Sequence, residues 1–501
     1  MYDYLTEESK STISKEDFVN RNKNIYNGIE ASDIKVDINQ VNEINNDKTQ
    51  ITYTTYMNTL AGKINFSNTV DFLKNKEKKY YLNWSSKVIY PELESTDKVR
   101  VATVEPKRGQ ILDRNNNVLA GKGVASSIGV VPGKMNENRE EDINKISQIL
   151  NISVEQINTE LSASYVKDDT FVPLKTISEL DKQTEETLLK IKGIMIKETQ
   201  KREYPLGEKL SHLIGYIQNI NAEELEKNKD KGYTSSSVIG KTGLEKTYED
   251  RLKGSIGYEI YISNSNGNKK HTIVKKEGKD GENIKLTIDA NLQAKIYNDY
   301  SAEKSATCVI NPKTGEILAL VSTPSYNSND FINGMSAEKW NQLSNDARKP
   351  FYSRFQATFA PGSSFKPVIG AIGLTTNKFT AEENFGKSGT SWQKDSSWGK
   401  FKVTTLATYG GVANLRNALV YSDNIYFAKA ALKIGSNTLI EQLKKIGFDT
   451  ELLNELSLSK SQYGNGGKIT SEARPCKYWI WSRRSISKSI TYGINIFSFC
   501  K

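Results

Sequence analysis

A serine precedes a lysine by three residues, Ser363 and Lys366, in the stretch Phe359-Ala-Pro-Gly-Ser-Ser-Phe-Lys-Pro-Val368. On a helix, residues three apart share a face, so the amine would lie one turn above the hydroxyl. A neutral amine there can take the serine proton, and the hydroxyl becomes a nucleophile, which free serine is not at neutral pH. Spacing alone carries little, because the same pattern starts at Ser95, Ser164, Ser301, Ser336, Ser391, Ser397, Ser457 and Ser485. Context sets Ser363 apart. Pro361-Gly362 predicts a turn that places Ser363 at a helix N-terminus, where the helix dipole favours negative charge on oxygen. Phe365, Val368, Ile369, Ile372 and Leu374 predict an apolar helix. A lysine held against such a surface has its charged form disfavoured and is a better base.

A second segment answers the first. Tyr421-Ser-Asp-Asn-Ile-Tyr426 carries Ser422 and Asn424 two apart, at the mouth of another apolar run. Ser, Asp and Asn are all N-capping residues, so a plain helix cap is the bland reading. Following the Ser363 segment in this order, the pair reads instead as a second element of the same site. The histidines, His212 and His271, lie far apart in sequence with no triad motif around either. They read as structural or solvated. Cys308, Cys476 and Cys500 are odd in number and irregular in spacing, which argues against a disulfide framework or a metal site.

The 501 residues suffice for several domains, and 37% hydrophobic with 26% charged residues is ordinary for a globular chain. The net charge of +10 comes from scattered basic residues and favours anionic surroundings such as a membrane surface or wall polymer. No Arg-rich stripe, zinc spacing or aromatic RNA motif points to nucleic acid. No stretch approaches a membrane span, and the N-terminus is not a signal peptide. Ser14-Lys-Glu-Asp-Phe-Val19 predicts a capped polar helix, followed by strands at Gln50–Tyr56 and Lys63–Phe66. Arg108-Gly109 predicts a turn, Gln110–Leu112 a strand and Asn115–Asn117 a hairpin turn. Helical periodicity runs from Asn144 to Ile191, a strand covers Ile284–Ile288, and Thr307–Val321 predicts a hairpin about Asn-Pro-Lys-Thr-Gly.

With Ser363-x-x-Lys366 and Ser422-Asp-Asn424 in this order, the chain resembles a class B penicillin-binding protein, a peptidoglycan D,D-transpeptidase. Arg108-Gly-Gln-Ile-Leu-Asp-Arg114, Tyr204-Pro-Leu-Gly207, His212-Leu-Ile-Gly-Tyr216 and Gly243-Leu-Glu245 resemble that family's pedestal, or dimerisation, domain. Residues 1–95 resemble the cystatin-like module of the low-affinity, methicillin-resistance type. The resemblance implies a multidomain α+β protein: that N-terminal module, a pedestal over residues 96–265, and an incomplete serine transpeptidase domain over residues 280–474, an antiparallel sheet with helices. It implies that Ser363 attacks a stem-peptide D-Ala carbonyl, Lys366 is the base, Ser422 passes a proton to the leaving nitrogen, and Asn424 orients Lys366 and substrate. No metal or cofactor is implied. Expected partners are peptidoglycan stem peptides, β-lactams and a cell-wall synthesis complex, with no nucleic acid. The family works on the outer face of the cell membrane, held by an N-terminal anchor that should precede Met1.

The family's third element, a Lys-Thr/Ser-Gly strand, is expected after Asn424 and does not occur there. Lys241-Thr-Gly243 and Lys313-Thr-Gly315 precede Ser363 and are in the wrong order. Composition changes after Arg474, and residues 475–501 are expected to be out of frame. The codons for Cys476-Lys-Tyr-Trp-Ile-Trp481, read one base later, are compatible with Ala-Asn-Thr-Gly-Tyr-Gly, which resembles the family's sequence beyond Ser-x-Asn. On this reading the copy is inactive. A β-lactam sensor or β-lactamase would share Ser363, Lys366 and Ser422 but would not need the pedestal. A non-enzymatic scaffold would use residues 1–260 or so as an interaction surface.

Overall fold

The computed structural model describes residues 1–177, 180–359, 361–451, 456, 458 and 460–463, with the backbone alone of Ser487–Lys488. Most of the tail expected to be out of frame therefore lies outside the described residues. Two compact units emerge. One is Met1–Gly109 with Leu225–Thr234 and Asp250–Glu282; the other is Gln110–Glu224, Ser235–Glu249 and Asn283–Lys501.

In the first unit Ser14 caps the helix Lys15–Gly28 as expected, its hydroxyl accepting the Asp17 N–H at 3.0 Å. That helix buries Phe18 and Ile25 against an antiparallel meander of Ser32–Asn45, Lys48–Thr59, Gly62–Lys74 and Tyr80–Leu82. The two expected strands are thus longer than their alternating cores. The same hydrophobic cluster takes in Trp84, Tyr90, and Ile260 and Ile262 of the strand Gly257–Ser263. This strand lies between Lys98–Val104 and Lys269–Lys276 in a three-stranded sheet. Residues remote in sequence complete the N-terminal core, a joining that chain order does not suggest.

The second unit opens on the long strand Val118–Val130, paired with Ile111–Leu112, Val172–Ile177 and Ile194–Glu203. Buried Asp113 accepts the N–H groups of Asn115 and Asn117, which fixes the expected turn, with Asn116 left-handed at φ 68°. The expected helical run is broken. Helices Arg139–Leu150, Val154–Leu161 and Lys182–Leu189 are interrupted by the strand Val172–Ile177. Here Val172 and Leu174 alternate into a core shared with Ile128, Val130 and Ile146, so pairing with Val118–Val130 overrides local propensity. The strand expected at Ile284–Ile288 is also shorter, Ile284–Lys285.

The pedestal-like motifs have packing reasons. Gly215 has φ 80°, and a Cβ there would meet the Thr242 carbonyl oxygen at 1.9 Å. A Cβ on Gly243 would meet Gly215 N at 2.6 Å. Two glycines let two backbones touch. Beside them the fully buried Glu245 carboxylate accepts from Arg202 Nε at 2.7 Å and Tyr204 Oη at 3.2 Å. His212 packs edge-on against Tyr326 and Phe355, and desolvation pulls its pKa down to about 4, so it is a neutral structural residue.

The hairpin Ser305–Ile310 and Ile317–Thr323 forms as expected, with Lys313-Thr-Gly315 in its turn. Lys241-Thr-Gly243 links the strand Val238–Gly240 to the helix Gly243–Thr247. Among the described residues no helix is long and apolar enough to cross a membrane.

Glu245→Ala strips the carboxylate from buried Arg202 and costs about 3–5 kcal/mol of stability, read as a lowered urea midpoint. Replacing both residues together, Arg202→Met with Glu245→Leu, recovers most of that loss.

Candidate active site

The turn before Ser363 is built as Pro361-Gly362 requires. Gly362 has φ 60°, a left-handed value that favours glycine. Gly362–Phe365 is a single 3-10 turn, and the α-helix proper runs over Lys366–Thr375. The α-helix therefore starts one turn later than expected, after Ser363, because Gly362 and Pro367 favour a tight turn ahead of the first α-helical residues. Its side chain is exposed. Phe365, Val368, Ile369 and Ile372 are buried, while Leu374 faces out at 37% exposure. The apolar face is narrower than the run of apolar residues suggests.

Lys366 points the other way, into the core. The residue is 2% exposed, and Nζ donates to Ser422 O at 2.6 Å, Ser422 Oγ at 2.9 Å and Asn424 Oδ1 at 2.6 Å. None of these bonds goes to Ser363. The Phe427 ring lies 5.8 Å from the amine. The helices Lys366–Thr375 and Asn424–Ile434 share one hydrophobic cluster, in which Val368, Ile369, Ile425 and Phe427 are buried. That packing sets the lysine of one helix against the N-terminal turn of the other.

The capping question is answered by the middle residue. Asp423 Oδ1 accepts the N–H groups of Ile425 at 2.8 Å and Tyr426 at 3.2 Å. Asp423 is the cap, so neither Ser422 nor Asn424 is needed for it. Ser422 holds φ 51°, a left-handed conformation rare for serine, which aims both its carbonyl and its hydroxyl at Lys366. Asn424 is pinned at both ends: Oδ1 accepts from Lys366 and Nδ2 donates to Thr404 O at 2.8 Å.

Burial lowers the Lys366 pKa from 10.5 to about 8, against the opposing pull of the Asp423 charge. At pH 7 about a tenth of such amines are neutral, against about one in three thousand for an ordinary lysine. A neutral amine has two N–H bonds and one lone pair. Ser422 O and Asn424 Oδ1 can only accept, so they take the two N–H bonds. Ser422 Oγ can reverse direction and donate to the lone pair, which makes Lys366 and Ser422 a pair able to hand a proton either way.

The structure thus brings Lys366, Ser422 and Asn424 into one hydrogen-bonded group, with Ser363 on the adjoining turn. Two contributors were not visible in sequence. Thr404, on a two-residue strand Val403–Thr404, acts through its carbonyl and has no side-chain signal. Tyr409 donates to Asp423 Oδ2 at 2.9 Å from an irregular loop whose composition gave no reason to choose it. Cys308 is a free thiol in the hairpin whose pKa burial pushes up to about 12, so it is not a reactive thiolate.

A serine on a tight turn is followed by a buried lysine that is bonded to a serine-asparagine pair. Comparison with known proteins gives the family of the chain. Residues 305–494 match the penicillin binding protein transpeptidase domain, residues 103–286 the penicillin-binding protein dimerisation domain, and residues 1–97 the NTF2-like N-terminal transpeptidase domain. Penicillin-binding protein 3 of Bacillus subtilis is 40% identical over 471 residues, covering 93% of this chain and 70% of that protein. The chain belongs to the class B penicillin-binding proteins. Peptidoglycan D,D-transpeptidase MrdA of Haemophilus influenzae is 30% identical over 371 residues, 72% of this chain and 56% of that protein. Its Escherichia coli namesake is 28% identical over 372 residues, 72% of this chain and 58% of that protein. This chain thus spans less than two thirds of either MrdA. The fold is that of a solved complex between penicillin-binding protein PBP2 and MreC from Helicobacter pylori. There the TM-score is 0.62 at 24% identity, over 79% of this chain and 75% of that one.

An NMR titration of 13Cε-lysine, with Lys366→Arg for assignment, is expected to place the Lys366 midpoint near pH 8 in the folded protein. The folded pKa is depressed below the unfolded 10.5, so the neutral amine is favoured on folding. Stability relative to Lys366→Met rises with pH between about 8 and 10.5 and is lost as pH falls through 8.

Proposed function

We propose that the protein is a serine-type peptidoglycan D,D-transpeptidase, and the observation that carries this is Lys366 held by Ser422 and Asn424 beside the Ser363 turn. Ser363 Oγ attacks the penultimate D-Ala carbonyl carbon of a stem peptide and gives its proton to the neutral Lys366 amine. The peptide C–N bond breaks, and Ser422 passes a proton from Lys366 to the departing D-Ala nitrogen. An ester on Ser363 remains. The amine of a neighbouring stem peptide attacks that ester, the C–O bond breaks, and the proton returns to Ser363. Asn424 keeps Lys366 aligned throughout and offers its amide to the substrate. A β-lactam enters the first step through its strained amide and leaves a persistent ester.

The first 95 residues support placing the protein with the low-affinity, methicillin-resistance type, since they match an N-terminal transpeptidase module. The pedestal match favours a transpeptidase over a β-lactam sensor or β-lactamase. Work at the outer membrane face, behind an N-terminal anchor, and within a wall-synthesis complex follows by analogy: the Helicobacter relative is described in complex with MreC.

No Lys-Thr/Ser-Gly tripeptide follows Asn424 within these 501 residues, and a protein without that element would lack half of the family's oxyanion hole and turn over poorly. The out-of-frame reading of residues 475–501 rests on their composition and on the codon arithmetic, while the family match itself continues to residue 494. Nucleotide sequence across Arg474 decides it: a shifted frame must run on to a Lys-Thr/Ser-Gly tripeptide, and an early stop sinks the idea.

Fluorescent penicillin tests the activity. The frame-corrected protein acquires a covalent label that Ser363→Ala abolishes, whereas label surviving that substitution overturns the nucleophile assignment. The 501-residue chain labels about 100–1,000-fold more slowly. Equal rates overturn the account of the missing strand.

A further inference from the structure

Between the strand Val403–Thr404 and the helix Leu415–Val420 lies an irregular loop, and Tyr409 is its half-buried anchor. Its hydroxyl donates to Asp423 Oδ2 at 2.9 Å. Its ring stacks on Tyr421, with centroids 4.6 Å apart and planes 7° from parallel. Tyr409 therefore holds the residues on both sides of Ser422. Ser422 sits between them at φ 51°, a conformation that costs energy and persists only where neighbours enforce it.

The charge arrangement gives this clamp a chemical consequence. Asp423 spends Oδ1 on the helix N-terminus and Oδ2 on Tyr409. It is also the anion that acts on the Lys366 amine, against the effect of burial. An anion favours the protonated amine, which is the useless form for a base. A hydroxyl that donates to the carboxylate withdraws part of that charge. The other charged groups around the turn are Lys429, which also feels Asp423, Lys387, which lies 5.2 Å from the Tyr409 ring centroid, and Glu383, which acts on Tyr426. Lys429 donates to Phe385 O, Gly386 O and Ser388 Oγ, and Lys387 to the Tyr409 carbonyl.

We propose that Tyr409 is a positioning residue for proton transfer: it clamps the Ser422 turn from both sides and tempers the charge of the Asp423 carboxylate beside that turn. It touches no reacting atom. Its significance for catalysis rests on the acyl-serine reading of Ser363 and Lys366, but the charge effect can be read without any turnover.

The test is the 13Cε-lysine NMR titration of Lys366 in the 501-residue chain and in Tyr409→Phe, which keeps the ring and removes the donor. The Lys366 midpoint moves upward in Tyr409→Phe, and adding Asp423→Asn, which keeps a capping oxygen and removes the charge, brings it back to or below the starting value. A merely structural tyrosine lowers the melting temperature and leaves the midpoint where it was; that result overturns the proposal, as does a rise that Asp423→Asn fails to reverse. Should Tyr409→Phe not fold, Asp423→Asn alone keeps the question open to measurement, because it must lower the midpoint. On the frame-corrected protein, Tyr409→Phe slows penicillin acylation at pH 7 by at least about twofold and shifts the rising limb to higher pH. A moved midpoint in a protein that penicillin never acylates leaves the clamp standing and defeats the transpeptidase reading instead.

Discussion

The site depends on one buried amine. Lys366 is carried by an apolar helix into a core where its charge is disfavoured, and among the described residues its hydrogen-bond partners are Ser422 and Asn424. Burial without partners would cost several kcal/mol, and partners without burial would leave the amine protonated. Having both yields a base that titrates near pH 8. Everything nearby serves that balance: the packing of two helices, the left-handed Ser422, the Asp423 cap and the Thr404 carbonyl that holds Asn424.

The division of labour across Ser422-Asp-Asn424 follows from the geometry of a helix start. A helix needs acceptors for its first N–H groups, and a single carboxylate at Asp423 supplies two of them. Its neighbours on either side are then free to face a different group. Because Ser422 adopts φ 51°, its carbonyl turns away from the helix axis and toward Lys366. Three capping-type residues in a row thus perform two jobs, one structural and one chemical. A tyrosine from a separate loop binds the structural member of the three, which ties the chemical pair to the rest of the domain.

The remainder of the chain is scaffold by the same measure. Arg202, Tyr204 and Glu245 form a buried polar knot beside the Gly215–Gly243 contact, and His212 is a neutral structural side chain. Motifs that read as family signatures in sequence are here packing solutions: glycines where backbones touch, and a carboxylate where a buried guanidinium must be satisfied. The first 95 residues contribute a helix on a meander whose core is finished by Ile260 and Ile262 from far along the chain.

Local chemistry was legible in the sequence wherever it depends on neighbours along the chain. The spacing of Ser363 and Lys366, the glycine that turns before them, the Ser14 cap and the hairpin about Lys313-Thr-Gly315 were all visible there, because each is decided within a few residues. The pairing of Ser363-x-x-Lys366 with Ser422-Asp-Asn424 was legible only as a resemblance. Tertiary structure decided what distance in sequence conceals. It turned Val172–Ile177 into a strand because Val118–Val130 was there to pair with it. It left Leu374 exposed while Val368, Ile369 and Ile372 of the same helix are buried. It chose Asp423 over Ser422 as the cap, and it brought Thr404 and Tyr409 to the site through a carbonyl and a hydroxyl. Residue types state which protons can move; only the packing of one helix against another sets which atoms are close enough to move them.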